Sequence, residues 1–352
     1  MKKIALLLTA FLLLFVTFGQ IPFNYYTAAE GKKQTELKIA LSEIITNGYV
    51  QRSYKDLWTD FYTTDARPDG KVWDMYSNCT YTFGTDQDTG SGGTSECDKY
   101  NREHSIPNSW FGGEKYPMYT DLFHLYPTDK YVNAERANFP YGETTNPVKT
   151  YGNGSKKGNG AAASGYTGMI FEPIDEYKGD FARTYFYMTT RYINVNFTQD
   201  SQHLGQVTFT YSNATCDLTD YAINLYLKWH RNDPVSQKET NRNNTVYGIQ
   251  HNRNPFIDYP ELVEHIWGNL QDAPWKPNVG INQNRESSIK IIKNVTGISV
   301  EGAAPNAKIE IYSVLGQNVY SSATNLNEIT LAHLNRGLYI VKVGNFIEKF
   351  VW

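Results

Sequence analysis

The sequence predicts an α+β body followed by a small C-terminal β-sandwich. Three observations point there. Up to residue 272, segments with the 3.6-residue period of helices alternate with short aromatic-rich pieces and turn-rich loops. A Pro/Asn/Ser-rich stretch, "APWKPNVGINQNRESS", then changes the character of the chain. Beyond it come only short alternating segments separated by turn residues. The expected division is a leader over 1–20, a body over 21–272, a linker over 273–288 and the sandwich over 289–352.

In the leader, Lys2 and Lys3 precede an apolar run from Ile4 to Phe18. That is the charged and hydrophobic order of a secretory signal, and the run is too short and too terminal to favour a spanning helix. Cleavage is expected near Gly19 or Gln20. No second apolar run approaches the ~18 residues of a membrane span, so the mature chain is expected to have none. In "ELKIALSEIITNGY", Leu37, Leu41, Ile44 and Ile45 share one helical face and Asn47-Gly48 is a stop signal. A Tyr/Trp-rich stretch follows, with strand-like pieces such as "YTF", and then "GTDQDTGSGGTSECD", a loop by composition.

Cys79 and Cys97 flank that loop. Export permits a disulfide between them, and the closed loop would contribute about 3 kcal/mol. Cys216 is left as a buried thiol. No C-x-x-C or H-E-x-x-H is present, which argues against a structural zinc or a zincin.

Further on, "KGDFARTYFYMTTRYI" spaces Phe181, Tyr185, Met188 and Tyr192 as an aromatic core face, with Arg183 and Arg191 expected on the surface. "DLTDYAINLYLKWHRNDPV" predicts a helix capped by Asp217 or Thr219 and closed by Asp233-Pro234. In the tail, "KIEIYSVLG", "NVYSS", "EITLAHL", "GLYIVKVG" and "FIEKFVW" read as strands; Ile309 and Ile311 alternate with Lys308 and Glu310.

Loss of Lys2 and Lys3 takes the formal charge from −3 to −5, which gives no support to a generic nucleic-acid coat protein. One stretch runs the other way. Between Tyr226 and Phe256, Lys228, Arg231, Lys238, Arg242 and Arg253 face only Asp233 and Glu239, which predicts a local basic surface.

Chemistry concentrates in "NREHSIPNSWF" and "DLFHLYPTDKYVNAERANF". Thr128 is placed to cap a helix beginning at Asp129, with Asn133 inside it and Arg136 three residues on along the same face. Phosphodiester hydrolysis needs a base for water, a counter-charge for the leaving oxygen and a hold on the phosphate. A histidine suits the first, a hard cation on oxygen ligands the second, and an arginine fork the third. Glu103, His104, Asn133 and Arg136 supply that set.

These two blocks, with "FEPIDEYKGDFARTYFYM" and "IQHNRNPFIDYPE", resemble the endonuclease I family over roughly residues 35–270. The resemblance implies a ββα-metal (His-Me finger) core with surrounding helices. It implies His104 as general base and Glu103 and Asn133 as ligands of a divalent ion, usually Mg²⁺, with Mn²⁺ or Ca²⁺ as other choices. Arg136, Asn138, Arg183 and Arg253 become candidates for substrate phosphate contact or site support, and Asn252 and Asn254 for framework or groove roles. His124 reads as packing or as a neighbour of the site. The implied substrate is DNA, with RNA as a second class, cut with little sequence preference by a monomer.

One departure stands out. Some family members carry a phosphate-holding arginine in an insertion after the histidine motif, but Phe111 to Tyr119 is short and has none. Lys115 or Lys156-Lys157 are candidate substitutes. The tail, with "L-x-x-G-x-Y-I-V-K-V", is similar to type IX secretion sorting domains, which implies that machinery as a partner and an extracellular or cell-surface destination. A competing reading makes "NREH" a charged bend in an exported surface protein that binds glycans or other partners through aromatic faces.

Overall fold

The structure, a computed structural model, describes residues 21–277, 290–294, 296–301, 308–322, 328–343 and 346–352. The leader and most of the linker lie outside the described residues. The chain divides into two compact units at Lys276/Pro277, each with its own hydrophobic core.

In the first unit α1 (Gln34–Thr46) and α2 (Leu57–Thr64) precede β1 (Tyr100–His104). β1 pairs antiparallel with β2 (Leu125–Asp129), which runs directly into α3 (Lys130–Arg136). β3 (Asn146–Thr150), β4 (Lys156–Asn159) and β5 (Met169–Glu172) form an antiparallel sheet in that order. α4 (Asp175–Arg191) follows, then the single turn α5 (Gly205–Thr208) and the ribbon of β6 (Phe209–Ser212) and β7 (Thr215–Leu218). α6 (Asp220–Asn232), α7 (Gln237–Gln250), α8 (Pro255–Asp258) and α9 (Leu262–Ile266) complete the unit.

Periodicity explains the helices that carry the core. Leu37, Leu41 and Ile45 of α1 are fully buried, and the left-handed Gly48 (φ 73°) ends the run. Thr219 caps α6 by accepting from the Ala222 amide, and the helix stops before Asp233-Pro234.

α4 departs from its amphipathic reading. Phe181, Tyr185, Met188 and Tyr192 are buried as expected, but so are Arg183 and Arg191. Arg183 donates through Nε and Nη2 to the Glu239 carboxylate, while Arg191 lies 3.7 Å over the Tyr49 ring and 3.6 Å from Asp121. Distant partners let α4 bury nearly its whole circumference, because a paired guanidinium escapes most of the penalty of an isolated charge.

The expected basic surface does not form. Lys228, Arg231, Lys238, Arg242 and Arg253 pair with Glu143, Glu264, Asp180, Asp65 and Asp258. Linear charge counting missed these partners because all lie outside the counted stretch or far along the chain, and only Asp258 is near its arginine in sequence. The "YTF" segment is irregular rather than a strand; Tyr81 instead donates to Asp129 at 2.6 Å.

The second unit contains β8 (Lys290–Lys293), β9 (Gly297–Glu301), β10 (Ile309–Ser313), β11 (Asn318–Ser322), β12 (Glu328–Thr330), β13 (Leu338–Val343) and β14 (Phe346–Val351). A sheet β11-β10-β13-β14 and a sheet β12-β9-β8 contribute to one core, in which Ile309, Ile311 and Val341 meet Ile298, Val300 and Ile329. That is a β-sandwich. β8 and β9 were not among the strands expected from sequence. Among the described residues, no helix is long and apolar enough to cross a membrane.

Candidate active site

Alternation along β1 sends Asn101 and Glu103 to one face and Arg102 and His104 to the other. The register sets Glu103 opposite Tyr126 and His104 opposite Leu125. α3 then begins at the end of β2. Its cap is Asp129 rather than Thr128: the Asp129 carboxylate accepts from the amides of Tyr131 (2.8 Å) and Val132 (3.0 Å). Thr128 lies one residue earlier inside the strand, buried, where its side chain cannot reach that turn. Asp129 also receives the Cys97 amide at 2.9 Å, so the loop closed by the Cys79–Cys97 disulfide docks on the start of α3. Cys216 is buried and unbridged.

α3 lies against the Asn101/Glu103 face of β1. Asn133 Nδ2 donates to Asn101 Oδ1 at 2.9 Å, and one turn later Arg136 Nη1 donates to Glu103 Oε1 at 3.0 Å. The same guanidinium holds the carbonyls of His104 (3.1 Å) and Ser105 (2.7 Å). Arg136 is 1% exposed and so locks strand to helix from within. Tyr76 adds a second donor to Glu103 Oε1 at 2.7 Å, and its hydroxyl sits 2.6 Å from that of Tyr141. Tyr76 has a single proton, so Tyr141 is the donor in that second bond. Burial raises the Glu103 carboxyl to about 7 against the lowering effect of Arg136 and Tyr76.

The arrangement leaves two oxygens. Both side-chain donors fall on Glu103 Oε1, so Oε2 receives no side-chain donor among the described residues. With its Nδ2 engaged, Asn133 has its carbonyl Oδ1 free of protein partners among the described residues. One carboxylate and one carboxamide oxygen, completed by water, fit a hard divalent ion. No group of three or more His, Cys, Asp or Glu among the described residues offers a competing cluster.

His104 is held differently. Its ring lies nearly parallel to Tyr119 (4.9 Å between centroids) and to Tyr54 (6.0 Å), and tilted against His124 (5.4 Å). Nε2 is 3.0 Å from the Tyr119 carbonyl. A carbonyl can only accept, so the proton sits on Nε2 and the lone pair on Nδ1. Burial first, and His124 second, hold this imidazole below its ordinary range, so it is neutral at neutral pH. His124 is itself buried, with Nε2 2.6 Å from the Met118 carbonyl.

The remaining candidates fall elsewhere. Arg183 and Arg253 are buried in ion pairs with Glu239 and Asp258 and present no guanidinium to a surface. Asn252 donates to the Ile45 carbonyl and the Tyr187 hydroxyl, and Asn254 caps α8. Asn138, partly exposed, follows α3 and makes no side-chain hydrogen bond among the described residues. Lys157 pairs with Glu135 at 2.6 Å and Lys156 with Glu172 at 3.7 Å, whereas Lys115 is exposed and has no ion-pair partner among the described residues. Sequence reasoning missed Tyr76, Tyr54 and Tyr119, which come from separate segments and carry no local signal.

Comparison with known proteins bears on this site. The endonuclease I family matches residues 33–261, and a secretion-system C-terminal sorting domain matches 274–351. An extracellular ribonuclease of Bacillus amyloliquefaciens is 35% identical over 253 residues, covering 69% of this chain and 78% of that protein. The extracellular ribonuclease of Bacillus subtilis strain 168 is 33% identical with the same coverage. Endonuclease-1 of Buchnera aphidicola subsp. Acyrthosiphon pisum is 27% identical over 138 residues, covering 39% of this chain and 44% of that protein. The matched region contains the whole β1–β2–α3 unit, and the chain belongs to the endonuclease I family.

Proposed function

We propose that the chain is a secreted endonuclease that hydrolyses nucleic-acid phosphodiesters with little sequence preference, using His104 as general base and Glu103 and Asn133 to hold a divalent ion. The observation that carries this reading is the Nε2–Tyr119 bond, which leaves the Nδ1 lone pair of a neutral imidazole to take a proton from water. Glu103 Oε2 and Asn133 Oδ1 would hold the ion, for which Mg²⁺ is the leading choice. When bound, such an ion neutralises charge developing on the leaving 3′ oxygen. Arg136 aims the Glu103 carboxyl and offsets part of the upward push that burial gives its pKa. Little sequence preference follows because the site addresses phosphate, which carries no base identity.

DNA and RNA both stand as substrates: relatives named as ribonucleases share more of the chain than those named Endonuclease-1. We read residues 1–20 as a signal peptide and the sorting domain as the address for type IX export.

The test is cleavage of labelled DNA and RNA by the purified chain, with and without chelator. His104→Ala is expected to lower the rate by at least about 10²-fold, the scale of a lost general base. Chelation is expected to abolish activity, and Glu103→Ala to raise the Mg²⁺ requirement. Near-full activity of folded His104→Ala, or an unchanged metal titration in Glu103→Ala, would remove the corresponding assignment.

A further inference from the structure

We propose that Arg102 is the side chain that holds a substrate phosphate oxygen beside His104, an inference that rests on the nuclease reading. Every other arginine of the first unit lies within ion-pair distance of a carboxylate, from Arg52 with Asp60 to Arg253 with Asp258. Arg102 has no such partner among the described residues; its Nη1 donates only to the backbone carbonyl of Tyr54, at 2.6 Å. A guanidinium stays charged at any working pH. Left without a carboxylate, it is a standing capacity to bind an anion that the protein does not itself satisfy.

Its place gives that capacity a use. Arg102 is two residues from His104, on the same face of β1. The Tyr54 ring lies 3.5 Å from the Arg102 Cζ and runs nearly parallel to the His104 imidazole, so one aromatic plate supports both groups. Trp58 covers Arg102 at 4.2 Å. Rings over the guanidinium occupy its faces and leave its edge. On that edge Nη1 is engaged and Nε is buried without a partner, while Nη2 makes no hydrogen bond to the described protein. Aromatic stacking fixes the plane of an arginine in advance, which a lysine stem cannot reproduce.

Elimination narrows the alternatives. The short Phe111–Tyr119 segment has no arginine, and Glu172 and Glu135 occupy Lys156 and Lys157. Among the described residues Lys115 has no ion-pair partner, but it is exposed, and no aromatic ring holds its ammonium in place. The ligand class is therefore a phosphodiester oxygen, met by the Nη2 edge on the same side of β1 as the base.

The full-length protein tests this. Arg102→Met keeps an aliphatic stem between Tyr54 and Trp58 but removes the charge and the donors. It is expected to lower kcat/KM on labelled nucleic acid by at least about 10²-fold, the scale of one lost transition-state donor, with its thermal midpoint close to wild type. Arg102→Ala opens a space, and added guanidinium ion at low millimolar concentration is expected to restore part of its activity; Lys115→Ala should show neither loss nor rescue. A merely structural stacking role would lower stability and give no rescue, and that result overturns the proposal. So does wild-type kcat/KM in Arg102→Met, or transfer of the loss to Lys115→Ala. If the wild-type chain cleaves neither DNA nor RNA, the nuclease reading itself fails; if it cleaves either and the Arg102 variants keep wild-type activity, this proposal alone fails.

Discussion

Arg136 shows how much of the site rests on single side chains. Its guanidinium serves the Glu103 carboxylate and two backbone carbonyls at the end of β1, all in a buried setting. Arg136→Met would leave Glu103 enclosed without its counter-charge. The expected cost is about 3–5 kcal/mol, the usual consequence of orphaning one member of a buried pair. Urea denaturation measures it, and a loss under about 1 kcal/mol would show that Glu103 escapes by taking up a proton or moving. Glu103, His104, Asn133 and Arg136 could be picked out as candidates because they sit in two short blocks whose residue types match one chemistry. Tyr76, Tyr54 and Tyr119 were not, because they converge on Glu103 and His104 from segments with no shared spacing. Arg102 was in plain view, inside the quoted block, but its lack of a carboxylate is a property of the folded surroundings.

At the level of elements, α3 has seven residues and would not persist alone. Asp129 steadies it by gathering the first amides of the helix, the Tyr81 hydroxyl and the Cys97 amide. The disulfide thus ties a loop to the helix that carries Asn133. Replacing Cys79 and Cys97 together by serine is expected to cost about 3 kcal/mol in the chain-entropy account. Chemical denaturation of the oxidised wild type, the double variant and the reduced wild type should place the last two together; a variant as stable as oxidised wild type would contradict this role.

Helices with a strong period, such as α1 and α6, were readable from sequence, and so were the tail strands with clean alternation. α4 was misjudged because periodicity sees apolar faces and cannot foresee that Glu239 and Asp121 will admit two arginines to the interior.

Across the whole first unit, buried titrating groups couple stability to acidity. His230 packs edge-on against Phe186, accepts from Arg183 Nη1 at 3.4 Å, and lies near Glu264 and Arg231. Burial first, then the Arg183 charge, push its pKa down to about 4. Between that value and the ordinary ~6.5 of an unfolded chain, the unfolded state binds more protons, so stability is lost as pH falls through this window. His230→Gln keeps an acceptor for Arg183 and removes the titration. Its denaturation free energy should depend less on pH than wild type, by on the order of 1–3 kcal/mol between pH 6.5 and 4. Parallel wild-type and variant curves would show that His230 does not carry the effect.

The pairing of Lys228, Arg231, Lys238, Arg242 and Arg253 with carboxylates has a consequence for how substrate is gripped. Affinity built on many lysine and arginine contacts collapses as ionic strength rises, because each contact releases a condensed counterion from the polyanion. Cations already neutralised within the protein release none. Cleavage by this enzyme should therefore decline gently from 50 to 200 mM NaCl, with a log–log slope of about −1 to −3 rather than the steep fall of a polycationic clamp. Such tolerance suits an enzyme that works outside the cell, where the ionic composition is not of its own making.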